Sequence, residues 1–175
     1  MNLESGRYII LGSVDGILAI LGIVLAVSAT STDVRIIISA GFGGAVALAM
    51  TNGLGSYMAE TAVEYGKLSA TESALKSSLK NTSLERFVRN KIFKDSLIHG
   101  GCSFIGSLVP LAPFLLLTFE NSSFVSVITS IAALAVLGFF ASRISKRSLI
   151  MSIIKMVGLG VAVALATGLL GIAQT

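Results

Sequence analysis

The sequence predicts an all-α integral membrane protein with five transmembrane helices and a short cytoplasmic helical segment between helices 2 and 3. Hydrophobic residues make up 54% of the 175 residues and charged residues only 13%, whereas soluble domains carry about 25% charge. The mean hydropathy is +0.89. Five apolar runs are long enough to cross about 30 Å of hydrocarbon, and runs of this length favour helices over the short alternating strands of a barrel.

The five predicted spans form a single membrane domain over residues 1–175 and are, in chain order, 8–29, 36–59, 97–119, 124–142 and 149–173. The first run is too long for the apolar core of a signal peptide and contains an acid, so it is expected to remain as a helix. The basic residues concentrate before span one, between spans two and three, and after span four: Arg7, Lys67, Lys76, Lys80, Arg86, Arg89, Lys91, Lys94, Arg143, Lys146 and Arg147. The positive-inside rule then predicts a cytoplasmic N-terminus and an external C-terminus.

Asp15 is an acidic residue inside the first apolar run. A charged side chain at bilayer depth costs at least about 2.5–3.5 kcal/mol, and such residues usually face a bundle interior, a partner or an ion path. We predict that Asp15 marks a cation path. The alternative is a structural ion pair with Lys155 or His99 in a membrane scaffold or assembly subunit. Lys155 can also extend its ammonium group to the cytoplasmic interface.

Three more side chains are candidates for the same path. Met50 and Asn52 lie on span two, and a site made of Asp15, Met50 and Asn52 would suit a borderline divalent ion such as Fe²⁺ or Mn²⁺. Methionine in a helix is more often a core residue. His99 opens span three, where its ordinary pKa near 6.5 suits proton exchange, although a single histidine there is more often a satisfied interfacial residue.

Pro110 and Pro113 are the two prolines of the chain and both lie in span three. Each removes a backbone N–H and clashes with the carbonyl four residues earlier, so this span is expected to be kinked. The freed carbonyls are candidates to face an ion or water path. A kink that serves packing alone is the alternative.

The segment 60–96 is the one sizeable stretch outside the predicted spans. Leucines at helical spacing extend helix 2 to about Lys80, and Thr82 to Glu85 match a capping box that begins a new helix. The basic residues of that helix are predicted to face lipid phosphates at the interface: Arg86, Arg89, Lys91 and Lys94. A solvated linker packed on the bundle is the alternative. Glu60 and Glu64 share a helix face and form either a weak two-carboxylate metal site or a solvated surface.

Several functional classes are disfavoured. One cysteine, Cys102, excludes an internal disulfide, and one histidine, His99, excludes a multi-histidine zinc site. The chain has no recognisable hydrolase or metalloprotease motif, so we expect no enzymatic activity. The basic residues flank apolar spans, where they set topology and meet anionic lipid, so we expect no nucleic acid partner.

The motifs in chain order resemble the vacuolar iron transporter family over nearly the whole chain. They are the Asp15-Gly16 pair in span one, the sequence Gly53-Leu54-Gly55-Ser56-Tyr57 in span two, the sequence Val109-Pro110-Leu111-Ala112-Pro113-Phe114 in span three and a glycine-rich fifth span after a basic loop.

The resemblance implies a homodimer of five-helix subunits that exports Fe²⁺ or Mn²⁺ from the cytoplasm in exchange for protons, with no tightly bound cofactor. In that family an acid of the first helix lies on the ion path, as Asp15 would here, accompanied by a methionine and a glutamate of the second helix. Asn52 stands in place of that methionine and Gly44 in place of that glutamate. The cytoplasmic glutamates that collect metal in the family are few here, which is typical of a divergent, prokaryotic member with a reduced metal-loading domain in the cell membrane.

Overall fold

The computed structural model describes residues 3–145 and 148–172, and these form five α-helices. The helices are α1 (Leu3–Thr30), α2 (Val34–Leu75), α3 (Ser83–Leu116), α4 (Phe119–Ser145) and α5 (Leu149–Ile172). All five are long and apolar enough to cross a membrane. The predicted all-α fold with five spans is therefore confirmed. Lys146, Arg147 and Ala173, which entered the topology prediction, lie outside the described residues.

The predicted segment 60–96 consists of the end of one long helix and the start of the next. Residues 60–75 continue α2 and residues 83–96 begin α3, because no helix-breaking residue falls at either predicted boundary. With 42 residues α2 is about 63 Å long, roughly twice the hydrocarbon thickness, so it is longer than a single crossing requires. The connection is confined to residues 76–82. It begins with Lys76 in the left-handed conformation, which caps α2 slightly earlier than expected.

The predicted capping box at the start of α3 is present. The Thr82 side chain accepts a hydrogen bond from the backbone N–H of Glu85 at 3.3 Å. The Glu85 carboxylate accepts from the N–H of Asn81 at 2.6 Å, one residue before the position expected for a standard box. These bonds use two backbone donors that the first turn of the helix leaves without helical partners.

Helix α1 lies at the centre of the bundle and packs against each of the other four helices. One apolar cluster joins α1 to α2 and α3 and includes Ile20, Ile37 and Phe114. A second cluster joins α1 to α4 through Ile17 and Leu134. Large apolar side chains elsewhere point outward, as expected for a surface that faces lipid rather than water.

Helix α3 continues through both prolines and ends at Leu116. The Pro110 carbonyl accepts a hydrogen bond from Ser126 of α4 at 2.8 Å, and the Pro113 carbonyl accepts one from Ser122 of α4 at 3.2 Å. These carbonyls are thus used in packing α3 against α4. The alternative that the prolines serve packing agrees with these contacts, which involve the prolines' own carbonyls and not the carbonyls of Gly106 and Val109 that the prolines leave without helical N–H donors.

Candidate cation site

Asp15 lies in the middle of α1, beside a cleft of about 560 Å³ between α1, α4 and α5. Its side chain is 40% exposed, so one part of the carboxylate is accessible from the cleft. The other part faces α2 and α3. An intramembrane acid that is open on one side and bonded on the other can take a ligand without unfolding its surroundings.

Glycines allow α1 and α3 to approach each other closely at this point. A Cβ atom at Gly16 would lie 2.1 Å from the Ser103 carbonyl oxygen, and one at Gly12 would lie 2.4 Å from the His99 carbonyl oxygen. On α3, a Cβ at Gly106 would lie 2.5 Å from the Ser13 carbonyl oxygen. Backbone contact of this kind is how small residues hold membrane helices together. This close approach brings Asp15 next to α3.

The polar contacts of Asp15 come from α2 and α3. Asn52 Nδ2 lies 3.3 Å from Asp15 Oδ2 and donates a second hydrogen bond to Ser103 Oγ at 2.8 Å. His99 Nε2 lies 3.6 Å from the same Asp15 oxygen. Ser56 Oγ is hydrogen-bonded to His99 Nδ1 on the far side of the ring. Asp15, Asn52 and His99, all predicted from the sequence, therefore meet at one place.

This cluster belongs to two polar series that face each other with a spacing of four residues. The series on α2 comprises Asn52, Ser56, Glu60 and Glu64, and the series on α3 comprises Lys91, Asp95, His99, Ser103 and Ser107. Sequence inspection missed Ser56, Asp95, Ser103 and Ser107. The regular spacing of polar residues on one face of an apolar helix is the pattern that identifies them, because residues four apart lie above one another.

At the end that holds Glu60 and Asp95, the two polar series contact the start of α1. Tyr8 donates a hydrogen bond to Glu60, and Ser5 donates one to the buried carboxylate of Asp95 at 3.0 Å. Glu64 accepts from Lys67 at 2.8 Å and from Lys91 at 3.3 Å. Hydrogen bonding from Lys67, followed by that from Lys91, lowers the pKa of Glu64. Glu60 and Glu64, predicted as a two-carboxylate site, thus each have a different partner.

Other predicted site residues lie elsewhere. Met50 is 61% exposed and lines an apolar groove of about 780 Å³ between α2 and α3, so its sulfur does not face Asp15. Arg86, Arg89 and Lys94 are exposed, whereas Lys91 is partly buried against Glu64.

A single chain brings few metal-binding side chains together. Over residues 3–145 and 148–172, no group of three or more His, Cys, Asp or Glu side chains is placed to hold a metal ion. Within the same ranges, the ion-pair partner of Asp15 is His99, and Lys155 lies exposed on α5. The structure therefore does not contain the ion pair between Asp15 and Lys155 that was considered as an alternative.

The fold and this cluster define a helical membrane protein that holds ionisable side chains inside its bundle. Residues 6–90 and 67–172 match the VIT family, the family of vacuolar iron transporters. The chain belongs to this family, which confirms the resemblance drawn from its motifs. It is also 38% identical over 169 residues to the uncharacterized protein MJ0645 of Methanocaldococcus jannaschii, covering 94% of this chain and 88% of that protein. Family membership and five apolar helices together support a membrane protein of metal-ion transport.

Proposed function

We propose that the protein is a secondary transporter of divalent cations of the Fe²⁺ and Mn²⁺ class that moves them out of the cytoplasm in exchange for protons. The observation that carries this proposal is the position of Asp15, which opens to a cleft on one side and meets Asn52 and His99 on the other. A carboxylate suits exchange because it can hold a cation and, after the cation leaves, a proton. An acid at this depth costs insertion free energy, and such residues usually have a functional role.

In this proposal the cation arrives at the ends of α2 and α3 near Glu60 and Glu64, passes Asp15 and leaves on the opposite side. The two polar series support the route because they run from Glu64 and Lys91 to the neighbours of Asp15. The distribution of basic residues supports a cytoplasmic N-terminus. The membrane is proposed to be that of a prokaryotic cell.

We further propose a homodimer, as the family resemblance implies. Few ligand-type side chains meet within one described chain, so a second copy or water would have to complete the coordination of an ion. The exposed Arg86, Arg89 and Lys94 are proposed to contact lipid phosphates.

The test is transport in proteoliposomes, with one dye for the metal and one for pH. Asp15→Asn is expected to abolish metal-dependent proton movement, since the amide cannot carry the proton. Asp33→Asn is the matched control because Asp33 is an exposed N-cap and asparagine caps a helix equally well. Undiminished coupled flux in Asp15→Asn would remove the role given to Asp15.

A second candidate, a membrane scaffold in which Asp15 forms a structural pair, is favoured by the 3.6 Å distance between His99 Nε2 and Asp15 Oδ2. It predicts that Asp15→Asn lowers the unfolding temperature in detergent and that the wild type binds no divalent metal by calorimetry. Transport predicts metal binding in the wild type. Calorimetry with Mn²⁺ therefore separates the two functions.

A further inference from the structure

His99 carries a ring nitrogen that lacks the contact its burial requires. The residue is 7% exposed, and its Nε2 atom is buried without a hydrogen-bond partner among the residues that the structure describes. The nearest acid oxygen, Asp15 Oδ2, is 3.6 Å away, beyond the 2.7–3.2 Å typical of an N–H···O hydrogen bond. Buried polar atoms without a partner are uncommon and call for an explanation.

The other ring nitrogen of His99, Nδ1, has a hydrogen-bond partner. Ser56 Oγ is hydrogen-bonded to His99 Nδ1. When Nδ1–H donates to this oxygen, the lone pair of the neutral imidazole lies on Nε2 and faces Asp15. Histidines that bind metals commonly donate their other N–H group to a neighbour in this way, which sets both tautomer and ring orientation.

The distance between His99 Nε2 and Asp15 Oδ2, which also accepts a hydrogen bond from Asn52 Nδ2, fits a shared ion. Nitrogen and carboxylate ligands lie about 2.0–2.2 Å from Zn²⁺, which places two ligands of a tetrahedral ion about 3.4 Å apart. The observed 3.6 Å is close to this value. The Asp15 carboxylate also borders a cleft of about 560 Å³ between α1, α4 and α5, from which water has access to its exposed side.

We propose that His99 Nε2 and Asp15 Oδ2 are direct ligands of the transported cation. The histidine thus supplies a nitrogen where Met50 supplies no sulfur. An imidazole ligand favours ions such as Fe²⁺ and Zn²⁺ over Ca²⁺ and Mg²⁺, which prefer oxygen. The inference rests on the proposed function and deepens it, because it changes His99 from a proton carrier into a metal ligand that determines specificity.

The experiment uses the purified full-length protein in detergent with Mn²⁺ alone as the probe. His99 is the single histidine of the chain, so labelling with ¹⁵N-histidine marks one ring. Pulsed electron paramagnetic resonance of bound Mn²⁺ is expected to show coupling to a directly bound imidazole nitrogen, which changes from ¹⁴N to ¹⁵N in the labelled protein. Bound Mn²⁺ without this coupling overturns the inference, and so does a wild type that binds no Mn²⁺.

Two variants give an independent measurement. His99→Gln is expected to weaken Mn²⁺ binding about tenfold or more and to reduce the preference for Zn²⁺ over Ca²⁺ in competition. Ser56→Ala, which leaves both ligands in place, is expected to weaken binding by about 10–100-fold, as loss of a residue that orients a metal ligand does. Ser73→Ala is the matched control, because Ser73 is exposed and its hydroxyl donates to the Ser69 carbonyl of its own helix. If either variant fails to fold, the isotope measurement on the wild type still decides.

The outcomes separate this inference from the proposed function. Metal-coupled proton flux in proteoliposomes without nitrogen coupling leaves transport standing and removes His99 as a ligand. Nitrogen coupling without flux leaves the binding site standing and removes transport. An affinity for Mn²⁺ that is unchanged in His99→Gln means that His99 and Asp15 form only a structural pair.

Discussion

Gly16 offers a direct test of how the site is built, because its replacement by alanine changes one atom at the contact between α1 and α3. The added Cβ would lie 2.1 Å from the Ser103 carbonyl oxygen and 2.8 Å from the Ser107 backbone nitrogen. Both atoms belong to the backbone of α3, which cannot rotate away as a flexible side chain can. The two helices must therefore separate, and Asp15, the preceding residue, must move away from His99.

The size of the effect follows from the nature of the contact. Inserting a methyl group into a well-packed interior typically costs about 1–3 kcal/mol, and a rigid backbone neighbour favours the upper half of that range. For a chain of this length each kcal/mol lowers the unfolding temperature by about 2–4 °C. We therefore expect Gly16→Ala to unfold about 4–12 °C below the wild type.

The assay is thermal unfolding in detergent, followed with a maleimide dye that reacts with Cys102, the single cysteine of the chain. The matched control is Gly43→Ala, because a Cβ at Gly43 meets no atom within 4 Å. Alanine has the higher helix propensity by about 1 kcal/mol, so this control is expected to unfold at or above the wild-type temperature. Equal unfolding temperatures for the two variants would refute the backbone-contact argument. Gly16→Ala is also expected to weaken Mn²⁺ binding, since it displaces Asp15.

Two further predictions concern contacts away from Asp15. The pKa of Glu64 is lowered by Lys67 and Lys91, so its ion pairs stabilise the fold fully above the ordinary value of 4.5 and the contribution is lost as the pH falls through the lower folded value. The unfolding free energy of Glu64→Gln is expected to be about 0.2–1 kcal/mol below the wild type at neutral pH. This difference should vanish in acid, as measured by circular dichroism, and a difference that persists there contradicts the prediction. Ser126→Ala removes the hydroxyl that bonds the Pro110 carbonyl and is expected to cost about 1 kcal/mol. An unchanged unfolding temperature in detergent would show that this bond does not stabilise the packing of α3 on α4.

Much of the fold follows from the sequence because the bilayer imposes strict conditions. Five long apolar runs with no water to satisfy their backbone must be helices, and the structure has five helices at those places. The capping box at Thr82 was also predictable from the sequence, since it depends only on residues close together in the chain. The extension of helix 2 past its apolar run was predicted to reach about Lys80, and α2 continues to Leu75, because a drop in hydrophobicity marks the edge of the bilayer and does not end a helix.

The site was only partly predictable. Asp15, Asn52 and His99 were each suggested by unusual residue types in apolar helices, and they do meet. Ser56 and Ser103 were missed because serine is common in helices, and its role appears only when the facing helix is known. Met50 was suggested by its chemistry, yet its place on the helix circumference turns it toward the groove between α2 and α3.

The sequence by itself determined that this chain is a five-helix membrane protein with an acid at bilayer depth, because length and polarity alone decide what a bilayer accepts. Only the tertiary structure decided which side chains Asp15 meets. That depends on how closely the helices approach and how they are rotated, and contacts such as Gly16 against the Ser103 carbonyl set both. The same packing leaves His99 Nε2 facing Asp15 without a hydrogen-bond partner, and this atom now defines the most informative experiment on the protein.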